Sequence, residues 1–176
     1  MGLRMSMKEL VEILQTEIPE KLVDEIERVE GAPHFTIYVK VDKSRDLIKI
    51  LHDNAGIYHL TTVTGLEIPD KEFRVIYHLQ HRDEETEKEV PINVIITGID
   101  INKPTSPTMS DIFVCAEYYE REIYDFYGIY FENHPFMERL ILPENWPDDV
   151  RPMRKEYSWQ DIKEITLSLA KKISED

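Results

Sequence analysis

The chain has 176 residues, with 21 Lys and Arg against 35 Asp and Glu, and its net charge of −14 repels a polyanion such as DNA unless a local basic patch overrides it. A composition of 41% hydrophobic and 32% charged residues describes a globular domain rather than a disordered or membrane-spanning chain, and the length fits a single compact unit. There is no run of 18 apolar residues, and Met1 to Leu14 carries Lys8, Glu9 and Glu12, which argues against a signal peptide and a direct membrane span. The lone Cys115 cannot form a disulfide within the chain, nor build an iron–sulfur or zinc site by itself, so a reducing, cytoplasmic setting is expected. Few glutamines and a high Glu, Lys and Ile content lean toward a thermophilic source.

In chain order, Ser6-Met7-Lys8-Glu9 has the form of a capping box ahead of apolar Leu10, Val11, Ile13 and Leu14, which predicts a short helix. A second helix is predicted after Pro19, with Leu22, Val23 and Ile26 on one face and a stop near Gly31. Phe35, Ile37, Val39 and Val41 then alternate with polar residues as one buried strand face requires. Ser44 is placed to cap a helix burying Leu47, Ile48 and Leu51 and ending around Ala55-Gly56. Three more strands are predicted: Ile57 to Thr64, Phe73 to Gln80 and Val90 to Ile96. The polar stretch Arg82 to Glu89 forms a solvated hairpin tip between the last two. Lys103-Pro104-Thr105-Ser106-Pro107 breaks the chain, and Thr108 to Asp111 reads as a cap for a helix through Ile112, Ala116, Tyr119, Ile123 and Phe126 that stops at Gly128. Residues 129–158 are rich in proline and aromatics without a regular period, and a final helix runs from Trp159 to Ile173.

Familiar chemistry finds little support. His78 and His81, three apart on a strand, point to opposite faces, and His52 and His134 have no ligand partner at helical or turn spacing, so no metal site is expected. Cys115 with His134 offers a formal nucleophile and base, but a Cys between Val114 and Ala116 reads as buried and structural. Phosphate-binding glycine loops and nucleophile elbows are absent, and no carboxylate pair stands out as a hydrolase site. Tyr118, Tyr119, Tyr124, Phe126, Tyr127 and Tyr130 could stack a base or a flavin, but core packing is the simpler reading. The densest segment is Glu117 to Asp125, where Arg121 stands four residues from both Glu117 and Asp125. Exposed, such pairs are worth only about 0.3–0.5 kcal/mol each. Covered by the following tail, the guanidinium's five donors could instead organise carboxylates and tail carbonyls together.

The order Asp111-Ile112-Phe113, Glu120 to Phe131, His134-Pro135, Arg139 to Pro143 with Trp146, and Pro152 to Tyr157 resembles the thirty-kilodalton subunit family of respiratory complex I, NADH:quinone oxidoreductase. That family includes the corresponding subunit of energy-converting membrane-bound [NiFe] hydrogenases. The resemblance is strong over residues 104–157. Glu138 stands where the family is usually basic, and Asn133 where a glycine often precedes the His-Pro.

The resemblance implies an assembly subunit with no active site and no cofactor of its own. Its partners would be a hydrogenase-like large subunit and iron–sulfur subunits, which carry the clusters and, in the hydrogenase branch, a Ni–Fe centre. It would lie on the cytoplasmic side and meet the membrane only through the complex. A ferredoxin-dependent membrane-bound hydrogenase or its sulfur-reducing relative is favoured, with an NADH- or quinone-linked complex I as the competitor and a free-standing small hydrolase as the rival of another class. By the same resemblance Glu120, Arg121, Glu122, Asp125 and Gly128 belong to a signature helix, and His134, Pro135, Trp146, Arg154, Lys155 and Tyr157 to a wrapping tail. All are structural or interfacial. In this reading Arg151, Arg154 and Lys155 meet partner carboxylates, Trp146, Tyr157 or Trp159 fill partner pockets, and the tail of the isolated chain is exposed to protease.

The fold expected is α+β: a mixed sheet of about four or five strands with helices on one face, then the signature helix, an extended tail and a terminal helix. The corresponding segments are 1–103, 104–128 and 129–176, forming one structural unit.

Overall fold

The computed structural model describes residues 34–83 and 86–175, together with the backbone at 25–28 and the helical pair Glu12–Ile13. The Ser6 capping box and most of the two N-terminal helical segments lie outside the described residues. Strand β1 (Glu25–Arg28) corrects the second of those helices, because Ile26 pairs with Ile37 in an antiparallel ladder instead of completing a helical face.

Alternation over β2 (Phe35–Lys40) puts Phe35, Ile37 and Val39 on one face, all buried. A short 3-10 turn (Val41–Lys43) leads into α1 (Ser44–Asp53), where Leu47, Ile48 and Leu51 are fully buried. Ser44 does not cap this helix. Its hydroxyl donates to Val41 O at 2.8 Å and closes the preceding turn. Strands β3 (His59–Ile68), β4 (Glu72–Arg82) and β5 (Glu89–Ile99) form a meander longer than their apolar alternation alone suggested. Arg82 still pairs with Glu89, and the Asp83 N–H donates to Lys88 O at 2.9 Å, so the ladder runs into the polar tip.

The sheet order is β1-β2-β5-β4-β3, antiparallel throughout except for the parallel β2/β5 pair. That parallel pair requires a crossover, and α1 with the β3–β4 hairpin supplies it. Facing positions such as Ile37, Val94 and Tyr77 all turn to the side covered by the helices, so one face of the sheet carries the core.

Two further elements complete the body. β6 (Thr105–Pro107) pairs in parallel with β7 (Tyr130–Glu132), so the proline-rich break is a short strand whose partner follows α2 (Ala116–Tyr127). Ile129 and Phe131 are fully buried in the main core, which fastens the start of the tail beneath the sheet's helical layer. The last helix, α3 (Trp159–Glu175), opens with a capping exchange, because Ser158 N–H donates to Asp161 Oδ2 at 2.7 Å and Asp161 N–H returns to Ser158 Oγ at 3.3 Å. It buries Leu169 against Trp146 and Val150 in a separate small cluster with Leu142, Tyr157, Ile162 and Ile165.

Close packing of α2 on β3 depends on Gly65. A Cβ there would stand 2.8 Å from two ring carbons of Tyr127 and 3.3 Å from Ile123 Cγ2. Gly65→Ala is expected to cost about 1–3 kcal/mol in urea unfolding, as overpacking does. The cost should shrink markedly in a Tyr127→Leu background; an equal cost in both backgrounds would show that the helix does not lean on this glycine.

Candidate functional site

Helix α2 carries two fully buried carboxylates, Glu120 and Asp125, and each organises a different part of the molecule. Burial of an ion is tolerable only where hydrogen bonds replace its water.

Glu120 joins the sheet to the segment before the helix. Its Oε1 accepts the Tyr77 hydroxyl of β4 and the Met109 N–H, both at 2.8 Å, and its Oε2 accepts the Thr108 hydroxyl. Burial pushes the carboxyl up to about 7 against the opposing effect of these donors, and the same surroundings push the Tyr77 phenol well above its ordinary value. The expected Thr108–Asp111 helix cap is corrected here. The helix starts at Ala116, no side chain caps its N-terminus, and Met109 O instead accepts the N–H groups of Ile112 and Phe113. Asp111 turns to α1, where the Arg45 guanidinium grips it from both nitrogens while also donating to Thr108 O at 2.6 Å. That grip holds the Asp111 carboxyl below its ordinary range.

Asp125 joins the helix to the tail. Its Oδ2 accepts three successive backbone N–H groups, from Leu140, Ile141 and Leu142, at 3.0, 2.8 and 3.1 Å. One turn earlier, Arg121 donates Nε to Glu138 O at 3.0 Å and Nη2 to Arg139 O at 2.9 Å. It forms no ion pair with Glu117 or Asp125, so the guanidinium serves the tail carbonyls. His134 closes the other side: its side chain is fully buried, Nδ1 accepts the Phe136 N–H at 3.0 Å, and Nε2 therefore carries the proton and donates to Glu117 O at 3.0 Å. Its Nε2 lies 4.0 Å from Glu120 Oε2, which places the ring between the two networks. Asn133, where the family often has glycine, has φ +63°, a left-handed conformation that asparagine tolerates better than most residues. Two atoms at this junction, Asp125 Oδ1 and Arg139 Nη1, are buried without a hydrogen-bond partner.

The C-terminal end of α2 is closed by cations from further along the tail. Arg151 Nη1 donates to Tyr124 O at 3.1 Å and its guanidinium lies 4.8 Å over the Tyr124 ring, while Arg154 Nε donates to Tyr127 O at 2.8 Å and stacks 5.1 Å over Phe73. They satisfy carbonyls the helix leaves free and oppose its negative dipole end. Gly128, at φ +75°, continues the left-handed exit, and a Cβ there would come within 3.0 Å of both guanidinium groups. The expected partner contacts of Arg154 are thereby replaced by contacts within the chain. Trp146 is corrected likewise, being buried in its own chain with Nε1 donating to Val150 O at 3.0 Å. Tyr157 is half-buried in the same cluster, and only Trp159 stands free at 74% exposure. Lys155 is exposed, its backbone N–H donating to Glu67 Oε2 at 2.7 Å, while Glu122 and Pro135 are exposed. The tail is thus laid in order across α2 rather than left loose.

No group of three or more His, Cys, Asp or Glu side chains among the described residues could hold a metal ion. Cys115 is exposed, contrary to its reading as buried, and its thiol faces Leu60 O at 3.8 Å, not His134. One surface depression lies along α1 at Asp46, Lys49, Ile50, Asp53 and Asn54 and another beside Asp42, Arg45, Thr105 and Glu132; Glu120 and Asp125 line neither. The two buried carboxylates act on the chain itself. Sequence reasoning missed the partners of Glu120. Their one visible signal was Tyr77, a residue with a polar tip at a core-facing strand position.

Two consequences can be measured. Below its ordinary value near 4.5 Glu120 is neutral in both folded and unfolded chains; between there and about 7 only the unfolded chain ionises, so stability falls as pH rises through that window and levels off above it. The loss is about 3 kcal/mol, and a Glu120→Gln variant, followed by urea midpoint from pH 4 to 8, is expected to lack that slope. Parallel profiles for the two proteins contradict the assignment. Asp125→Ala strands three amide donors and is expected to lose at least about 2 kcal/mol, and to admit protease within residues 133–149 while the sheet domain stays intact.

Comparison with known proteins agrees with this geometry. The family model for the respiratory-chain NADH dehydrogenase 30 kDa subunit matches residues 37–163, well beyond the motif-dense stretch 104–157. The C subunit of the F420H2 dehydrogenase of Methanosarcina mazei is 27% identical over 87% of this chain and 92% of that one. The C/D subunit of the NADH-quinone oxidoreductase of Phocaeicola vulgatus is 34% identical over 69% of this chain, which spans only 22% of that longer protein. Among solved structures, a chain of the membrane-bound sulfane sulfur reductase, an archaeal respiratory membrane complex, superposes with a TM-score of 0.72 at 26% identity, covering 90% of this chain and 89% of the other. A trypsin-resistant fragment of Nqo5 gives a TM-score of 0.52 at 25% identity, over 73% of this chain and 96% of the fragment. From β2 to the first turn of α3, this chain belongs to the family of the respiratory-chain NADH dehydrogenase 30 kDa subunit.

Proposed function

We propose that this protein is a non-catalytic assembly subunit of the peripheral electron-transfer arm of a membrane-bound respiratory complex, seated on a hydrogenase-like large subunit. The observation that carries the reading is the superposition on the sulfane sulfur reductase chain over nine-tenths of both molecules. The internal chemistry supports it. On α2, Arg121 and Asp125 hold the tail in one course, which is what a structural adaptor needs.

Within that class we favour a sulfur-reducing complex or the related ferredoxin-dependent [NiFe] hydrogenase, coupled to ion translocation. The superposition with the sulfane sulfur reductase chain is both longer and closer than that with the Nqo5 fragment. The second reading is the same subunit in a dehydrogenase complex fed by F420H2 or NADH, supported by the near full-length match to the F420H2 dehydrogenase chain. No helix among the described residues is long and apolar enough to cross a membrane. Attachment to the membrane, on its cytoplasmic side, would come through the other subunits, which would also hold the iron–sulfur clusters and any Ni–Fe centre.

Affinity purification of the tagged full chain from its own cells tests this. We expect a hydrogenase-like large subunit and iron–sulfur subunits in defined proportion, with iron in the assembly and neither iron nor turnover in the isolated chain. The cysteines of that large subunit would then separate the hydrogenase branch from the others. Metal and hydrolytic turnover in the isolated chain would reject assembly in favour of a free-standing enzyme.

A further inference from the structure

The segment 133–149 crosses α2 as a strap, and the way it is fastened determines what it shows to solvent. Arg121 takes the carbonyls of Glu138 and Arg139, and Asp125 takes the N–H groups of Leu140, Ile141 and Leu142, so the backbone of five successive residues is held by one helix. Leu142 turns toward the Trp146 cluster. Leu140 and Ile141 remain 40% and 51% exposed, and Phe136, fixed through its N–H to His134, is 62% exposed. Three large apolar side chains are therefore held in water by a rigid backbone. A surface ordered in advance loses less conformational entropy when it is covered.

The charge around this ridge has one sign. The strap's acids Glu138, Glu144, Asp148 and Asp149 are all exposed, and so is Glu122 on the turn of α2 that the strap crosses. Its single cation, Arg139, is half-buried and donates Nη2 to Trp146 O and Asp148. Of the cations that follow, Arg151 and Arg154 are turned onto the end of α2, and Lys155 is exposed where its backbone meets Glu67 of β3. The outward field of the strap is thus negative.

We infer that the strap is a docking ridge for a partner groove with an apolar floor and a rim of lysine or arginine. The inference rests on the assembly reading and assigns the groove to the large subunit of the same complex. A second copy of this chain is disfavoured as the occupant, because it would bring an equally acidic ridge on a body of charge −14.

The test uses the tagged full chain co-produced with the other subunits, reading large subunit retained per tagged chain at low and high salt, and the Tm of each isolated variant. Ile141→Asp is expected to reduce retention at least tenfold with Tm unchanged; if it lowers Tm, Phe136→Ser is read in its place. Glu138→Lys with Glu144→Lys is expected to reduce retention severalfold at low salt, the difference from wild type disappearing near about 0.5 M, where exposed charges are screened. Full retention by the folded apolar variant overturns the ridge, and full retention by the charge-reversed variant at low salt overturns the basic rim. A concentration-dependent dimer of the wild-type chain that Ile141→Asp abolishes assigns the ridge to a second copy and overturns the proposal. Wild-type chain that retains no large subunit at all overturns the assembly reading itself.

Discussion

One oxygen atom, Asp125 Oδ2, receives three consecutive amide hydrogens from the strap, and the shape of the second half of the molecule follows from that contact. A fully buried carboxylate cannot stay charged without donors, and a turn of backbone cannot lie against a helix with its amides unpaired; each removes the other's penalty. Once residues 140–142 are fixed, Leu142 and Trp146 have a defined place to pack, and the small cluster that seats α3 can form around them. Arg121 repeats the logic with opposite sign one turn earlier, supplying donors to carbonyls. The helix therefore works as a template: its side chains read the tail's backbone rather than its side chains.

Glu120 plays a second part on the same helix. It faces inward to Tyr77 and the 108–110 segment, where Asp125 faces the tail, and His134 lies against the helix between the two networks. Carboxylates on one helix thereby bind it to the sheet and to the strap. Of the acids crowded around Arg121 in the sequence, Glu122 is exposed, whereas Glu120 and Asp125 are buried and form no ion pairs along the helix. The packing that they serve exists only when segments far apart in the chain meet.

That dependence explains what could be read in advance. The strands from Phe35 to Ile99 were legible because a sheet with one buried face imposes a period of two, and Gly128 was legible because a helix needs a left-handed exit. The β6/β7 pair was not, since three residues on each side are too short for a pattern and one strand contains proline. Ile26 fitted a helical spacing but sits in an edge strand, where pairing with β2 decides. The basic cluster at Arg151 to Lys155 was visible as charge, yet its direction was not: charge alone cannot distinguish a partner's carboxylates from the carbonyl end of the chain's own helix. Trp146 was recognised as an anchor, but its pocket belongs to its own chain.

Membership of the complex I 30 kDa family gives these interactions a context, because a subunit of a respiratory-like complex must present the same surface each time it assembles. In this account the free chain already holds that surface in place before any partner arrives. Amide hydrogen exchange of the isolated full-length chain, resolved at Leu140, Ile141 and Leu142, tests that most directly. The account requires these three amides to be protected to about the same degree as the amides within α2, despite lying in a segment without regular secondary structure. Exchange at the rate of an unstructured peptide would contradict it, and would mean that the strap is ordered by the partner and not by Asp125.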